Sequence, residues 1–157
     1  MRLLAFRFAV PFAVLLVLGA LAVAPVRAQG GRPLPAIEDY AGAWAGSYIA
    51  MQGVTNVVVS VVPDSDSTFT GRFIFFAHPD YPDTPTGSYT ISGFYDWEEG
   101  GAVFVGDAWI EQPPNYIFVA LGGLYDPDDA AWKGEVFMEG GPNGNERVGT
   151  FRLERIY

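Results

Sequence analysis

The chain predicts an all-β protein, a single small antiparallel up-and-down barrel of about eight strands. Three observations carry that reading. From Ala43 onward, short aromatic and β-branched runs recur every ten residues or so, divided by turns rich in Pro, Asp, Asn and Gly. Within the runs, apolar and polar residues alternate, as strands with one buried face require. Glycines recur inside the runs (Gly46, Gly71, Gly93, Gly106, Gly134, Gly149), where a small curved barrel needs bends or close approach.

Taken in chain order, residues 1–28 read as an export signal. Arg2 and Arg7 charge the N-terminal end, an apolar run over 8–26 follows, and Val26-Arg27-Ala28 puts small residues at the two positions a signal peptidase reads. The mature chain is then expected to start at Gln29, in the periplasm or outside the cell. Left uncleaved, the run of about 19 residues is just long enough to anchor the chain in a bilayer. Residues 29–39 carry Gly30, Gly31, Pro33 and Pro35 with few large apolar groups and read as a linker, so the barrel domain spans 40–157.

The strands are expected at 43–51, 54–62, 68–76, 88–95, 102–110, 116–122, 131–139 and 147–156. In the third, Phe69, Gly71, Phe73 and Phe75 share a face opposite Thr70 and Arg72. In the seventh, Trp132, Gly134, Val136 and Met138 oppose Lys133, Glu135 and Glu139. The sixth, by contrast, is apolar on both faces from Tyr116 to Leu121, as if covered by the N-terminal segment or by another subunit. Short connections make the strands an antiparallel meander, and closing the meander removes its exposed edges.

Charge and cysteine usage exclude several functions. All 18 acidic residues lie beyond residue 28, whereas Arg2, Arg7 and Arg27 lie before it, so the mature net charge is 6 − 18 = −12. Such a surface repels nucleic acid and anionic lipid. With no cysteine there is no disulfide, thiolate metal site, cysteine nucleophile or lipidated N-terminal cysteine.

Two resemblances follow. Gly42-Ala43-Trp44 on the first strand, with Phe151-Arg152-Leu153-Glu154-Arg155 on the last, resembles the calycin arrangement of lipocalins and avidins. That likeness implies an arginine, Arg152 or Arg155, packed on Trp44 at a closed barrel end. Over most of the mature chain, Trp44-x-Gly46-x-Tyr48, Gln52-Gly53-x-Thr55, Pro85-x-Gly87-x-Tyr89, Gly93-x-Tyr95-Asp96, Trp109-Ile110-x-x-Pro113-x-x-Tyr116, Leu121-x-Gly123 and Trp132-x-Gly134 resemble a little-studied domain of exported bacterial proteins. That domain is sometimes appended to caspase-like peptidases. Members often carry a cysteine pair from the first strand to the region before the last; here Ala50 holds the first position. The likeness implies architecture and export, and no particular activity.

The chemistry-bearing residues are sparse. His78, the single histidine, sits among Asp80, Asp83 and three prolines, without the further ligands a zinc site wants. The acidic turns Asp64-Ser65-Asp66 and Asp126-Pro127-Asp128-Asp129 lack a calcium-binding loop pattern, so no metal is expected. The adjacent carboxylates around Trp97 splay apart and do not suit a glycosidase. Gly100-Gly101 and Gly140-Gly141 lack the helix and lysine of a phosphate cradle, and no cofactor is expected.

What remains is a surplus of aromatic residues, 15% of the chain. Rings at a barrel mouth suit a sugar, a peptide or a small apolar molecule. In a meander the 77–87 loop, the 111–115 turn and the 140–146 turn share one rim, and there Tyr81, Trp109 and Tyr116 form the candidate ligand site. Trp97 and Tyr125 mark the opposite rim. The function expected is an exported, non-enzymatic binding or accessory module of the cell envelope. The alternatives are a hydrolase or isomerase using lumen carboxylates such as Asp107 or Glu111 with Tyr116, and a structural or oligomerising envelope protein.

Overall fold

In a computed structural model of the chain, residues 34–141 and 144–156 are described. The expected signal, 1–28, and the first part of the expected linker lie outside them. The described chain folds into eight strands in order: β1 (Gly42–Ala50), β2 (Gly53–Pro63), β3 (Thr68–Ala77), β4 (Gly87–Asp96), β5 (Gly101–Glu111), β6 (Val119–Asp126), β7 (Ala131–Gly141) and β8 (Gly144–Arg155). Each pairs antiparallel with the next, and β8 returns to β1 from Trp44↔Arg155 to Ile49↔Thr150. The sheet is therefore a closed barrel, and closure leaves no free first or last strand.

Alternation decides what fills it. Phe69, Phe73 and Phe75 of β3 point inward with Val57, Val59 and Val61 of β2, and Trp132 and Val136 of β7 do the same. Outside, the ion pairs Arg147–Glu135 at 2.9 Å and Arg152–Glu154 at 3.1 Å lie on β7 and β8. The lumen is packed rather than hollow. Tyr40 meets Trp132 at 5.1 Å between ring centroids, Trp132 meets Phe104 at 5.7 Å, Phe104 meets Phe73 at 5.8 Å, Phe73 meets Phe75 at 6.4 Å, and Phe75 stacks on Tyr116 at 5.4 Å. This column of rings runs the length of the barrel, each contact adding attraction beyond area burial.

One end is sealed by the segment before β1. Residues 34–39 were expected as linker, yet Ile37 and Tyr40 of a short 3-10 helix, Ile37–Tyr40, are only 1% and 0% exposed. Two apolar side chains among acidic neighbours were enough to bring the segment onto the barrel, because the open end offered them burial. Tyr40 donates its phenol proton to Gly100 O and accepts from Tyr125 N, both at 2.8 Å. Trp44 Nε1 donates to Tyr40 O at 2.8 Å. Of the two candidate arginines, Arg155 lies over Trp44, its Cζ 4.9 Å from the ring centroid, and donates to Asp39 O. Arg152 points outward to Asp129 and Glu154.

The sixth strand departs from expectation. It begins at Val119 rather than Tyr116 and runs on to Asp126, past the expected turn at 123. Pro113 and Pro114 cannot donate to a ladder, and Asn115 takes a left-handed φ of 66°, so residues 112–118 form a looped crossing instead. Its two-faced apolarity follows: Ile117 faces solvent, while Phe118 stacks on Trp109 at 4.7 Å. Consequently β5 pairs with β6 only from Gly101 to Phe104.

Candidate functional site

The end opposite Trp44 is the mouth, where the β1–β2 turn, the 78–86 loop and the 112–118 crossing converge. Each of the three predicted site residues reaches it by a different route. In the first loop, Tyr81 N donates to His78 O at 2.8 Å and Thr84 N to Tyr81 O at 3.3 Å, so two tight turns with Pro79 and Pro82 hold Tyr81 in place. Its ring lies against Gly53, where a Cβ would come within 2.2 Å of Tyr81 Cε1. Gly53, at φ 98°, also makes the turn itself.

Tyr116 is set by the crossing: its N donates to Pro113 O at 3.2 Å, and Gln112 Nε2 donates to its carbonyl at 3.0 Å. Trp109 is set by a bulge. Thr90 pairs with Ala108 but Ile91 with Gly106, leaving Asp107 as the extra residue. A bulge shifts the alternation by one, so the inward positions run 102, 104, 106 and then 109. Without it Trp109 would point outward. Phe118 lies over Gly106, where a Cβ would be 2.5 Å from its ring. Trp109 thus belongs to a packed stack with Tyr89, 5.1 Å away, and Phe118.

Two adjoining cavities open at the mouth. One, of about 240 Å³, has apolar walls from Ala50, Met51, Ile117, Val119, Met138 and Val148, with Tyr48, Gln52, Asn115 and Tyr116 supplying its polar groups. The other, of about 360 Å³, is lined by Asp80, Tyr81, Pro82, Asp83 and Thr84 and shares Gln52 and Tyr116 with the first. The structure therefore brings Tyr81 and Tyr116 together, and places Trp109 outside the lining of both cavities, behind Phe75. Gln52 Nε2 donates to Tyr48 Oη at 3.1 Å. Burial pushes the Tyr48 phenol above its ordinary range, with the Thr55 and Gln52 side chains pulling the other way, so it stays a neutral hydroxyl at physiological pH.

Tyr48, Met51, Gln52, Asn115, Met138 and Val148 were missed from sequence. Meander parity could have found Met51 and Gln52, since the β1–β2 turn shares a rim with the 78–86 loop. Met138 and Val148 read as ordinary core positions.

The carboxylates proposed for catalysis are elsewhere. Asp107 is exposed on the outer face, accepting from Ser92 Oγ at 2.7 Å, and Glu111 is exposed at the end of β5. Among the described residues, the buried polar side chains are Thr55 and Ser88, and no acid lies in the lumen. Asp107 follows inward Gly106 and so faces out by plain alternation, while the bulge at Asp107 turns Trp109 in. At the opposite rim, Tyr125 lies in β6 rather than in a turn, edge-on to Trp44 at 5.7 Å, and Trp97 packs on Tyr95 at 4.8 Å beside the seal. Comparison with protein-family models and with curated proteins finds no match.

Proposed function

We propose that the chain is an exported, non-enzymatic binding module of the cell envelope, calycin-like in plan, which takes a small apolar molecule or an apolar group of a peptide or glycan at its mouth. The observation that carries this reading is the cavity of about 240 Å³, walled by six apolar side chains and furnished with two phenols and two amides. Clefts with apolar walls and a few fixed polar groups are the usual form of small-ligand sites. The stack of Arg155 on Trp44 supports the calycin comparison. Export to the periplasm or beyond rests on the charged and apolar pattern of residues 1–28.

Tyr116 is the residue on which the reading turns, because it borders both cavities. A screen of glycans, peptides and apolar molecules against the mature domain, followed by ligand-detected magnetic resonance, tests it. Tyr116→Ala is expected to abolish binding of any ligand found while the domain stays folded. Trp109→Phe, which keeps an aromatic ring in the stack behind the cavity, is expected to bind normally. Ligands that bind Tyr116→Ala unchanged would remove the mouth from consideration.

A further inference from the structure

The two cavities differ in chemistry and share a boundary, and that juxtaposition says more than either alone. Among the described residues, no charged side chain lines the apolar cavity. The second cavity has two carboxylates, Asp80 and Asp83, and two phenol rings, Tyr81 and Tyr116, with Tyr116 and Gln52 as the common wall. We infer that the mouth is a bipartite site for an amphiphilic cation, an ammonium or guanidinium carried beside an apolar group, with the apolar group in the first cavity and the cation between the tyrosines and aspartates of the second. This inference rests on the mouth being the ligand site.

Three features favour the cation. Aromatic faces attract cations through their quadrupole, and the attraction adds to that of nearby carboxylates. Asp80 is placed by its histidine neighbour, for His78 Nδ1 accepts Asp80 N–H at 3.2 Å and lies 3.6 Å from Asp80 Oδ2, while the carboxylate stays 81% exposed and open to a ligand. The chain as a whole carries a formal charge of −9, which draws cations in and repels anions. Tyr81 is also held for the role, its ring packed into the space that a side chain at Gly53 would fill.

The shared chemistry has two sources, a free amine or a basic side chain next to an apolar residue in a peptide. Hexylamine, hexanol and hexanoate have the same apolar chain and differ in charge. Titrated calorimetrically or by magnetic resonance into the mature domain, hexylamine is expected to bind about tenfold more tightly than hexanol, and hexanoate more weakly than either. The double variant Asp80→Asn, Asp83→Asn is expected to bring hexylamine down to the level of hexanol and leave hexanol unchanged, which a general loss of folding would not do. A Leu-Lys dipeptide blocked at both ends, compared with hexylamine, separates the sources: tighter binding of the dipeptide assigns the site to peptides, tighter binding of the amine to free amines. Hexanol binding as well as hexylamine would overturn the cationic assignment while leaving an apolar site intact. Failure of all three would overturn the mouth as a site for chains of this kind, and with it this inference.

Discussion

Trp44 and Trp132 are both fully buried in the same aromatic column, yet their indole protons have different fates. Trp44 Nε1 donates to Tyr40 O at 2.8 Å, whereas Trp132 Nε1 has no hydrogen-bond acceptor in reach. Replacing Trp44 by Phe strands a buried carbonyl; replacing Trp132 by Phe removes a donor that was unpaired already. Chemical denaturation is expected to show Trp44→Phe the costlier by about 1 to 2 kcal/mol. Tyr40 provides a second test. Desolvation by burial pushes its phenol up to about 12, while Tyr125 N–H pulls the other way. In the unfolded chain the phenol ionises near its usual value of about 10. Above that pH the unfolded state holds fewer protons than the folded one, so stability falls as pH rises. The contribution is whole below pH 10 and lost toward about 12, and Tyr40→Phe is expected to flatten that part of the alkaline melting profile.

At the scale of elements, the bulge at Asp107 carries a sharp expectation. Deleting Asp107 takes out the extra residue, leaves Gly106, Ala108 and Trp109 in unbroken register against Ile91, Thr90 and Tyr89, and keeps Trp109 inward beside Phe118 and Tyr89. A retained near-ultraviolet aromatic signal is the expected outcome; its loss would show that the stack needs the bulge itself and not only the register on either side of it. The strands themselves were legible because alternation is a local property: β2, β3, β4 and β7 fall within a residue or two of their expected bounds. The start of β6 was not, since Tyr116, Ile117 and Phe118 look like strand and only the left-handed Asn115 after two prolines denies them a ladder. Trp109 lies outside the lining of both cavities for the same kind of reason. A bulge moves one residue between faces, and nothing in Gly106-Asp107-Ala108-Trp109 announces which residue is extra.

For the molecule as a whole, ring contacts from Tyr40 to Tyr116 fill the space that a larger barrel would leave open. The sequence told of closure, through the removal of edges and the paired motifs at Trp44 and at Arg152 or Arg155, and of the rim on which Tyr81 and Tyr116 stand. It did not tell that a segment upstream seals the far end, because Ile37 and Tyr40 earn their burial only from a surface assembled by strands distant in sequence. The acidic turns play an ordinary part in this whole. Asp126 and Asp129 are drawn below the usual carboxylate range by hydrogen bonds from Lys133, with Arg152 adding to the effect at Asp129, so these two charges of the second turn are met from within. Chelation by EDTA is expected to leave Tm unchanged; a marked fall would mean that an ion holds one of these turns.

The antiparallel seam between β1 and β8 also decides how the domain yields to force. Its first pair, Trp44↔Arg155, sits where the chain enters and leaves the barrel, and its last, Ile49↔Thr150, near the mouth. Hydrogen bonds in such a ladder lie across the strands, so traction on the two ends loads them one after another, as in a zipper, instead of all at once in shear. The docked residues Ile37 and Tyr40 on one side and the bond from Ile156 N to Ala43 O on the other take that load before the Arg155 cap over Trp44 does. A tether pulling on one end alone spares the seam and leaves the mouth facing away from the point of attachment.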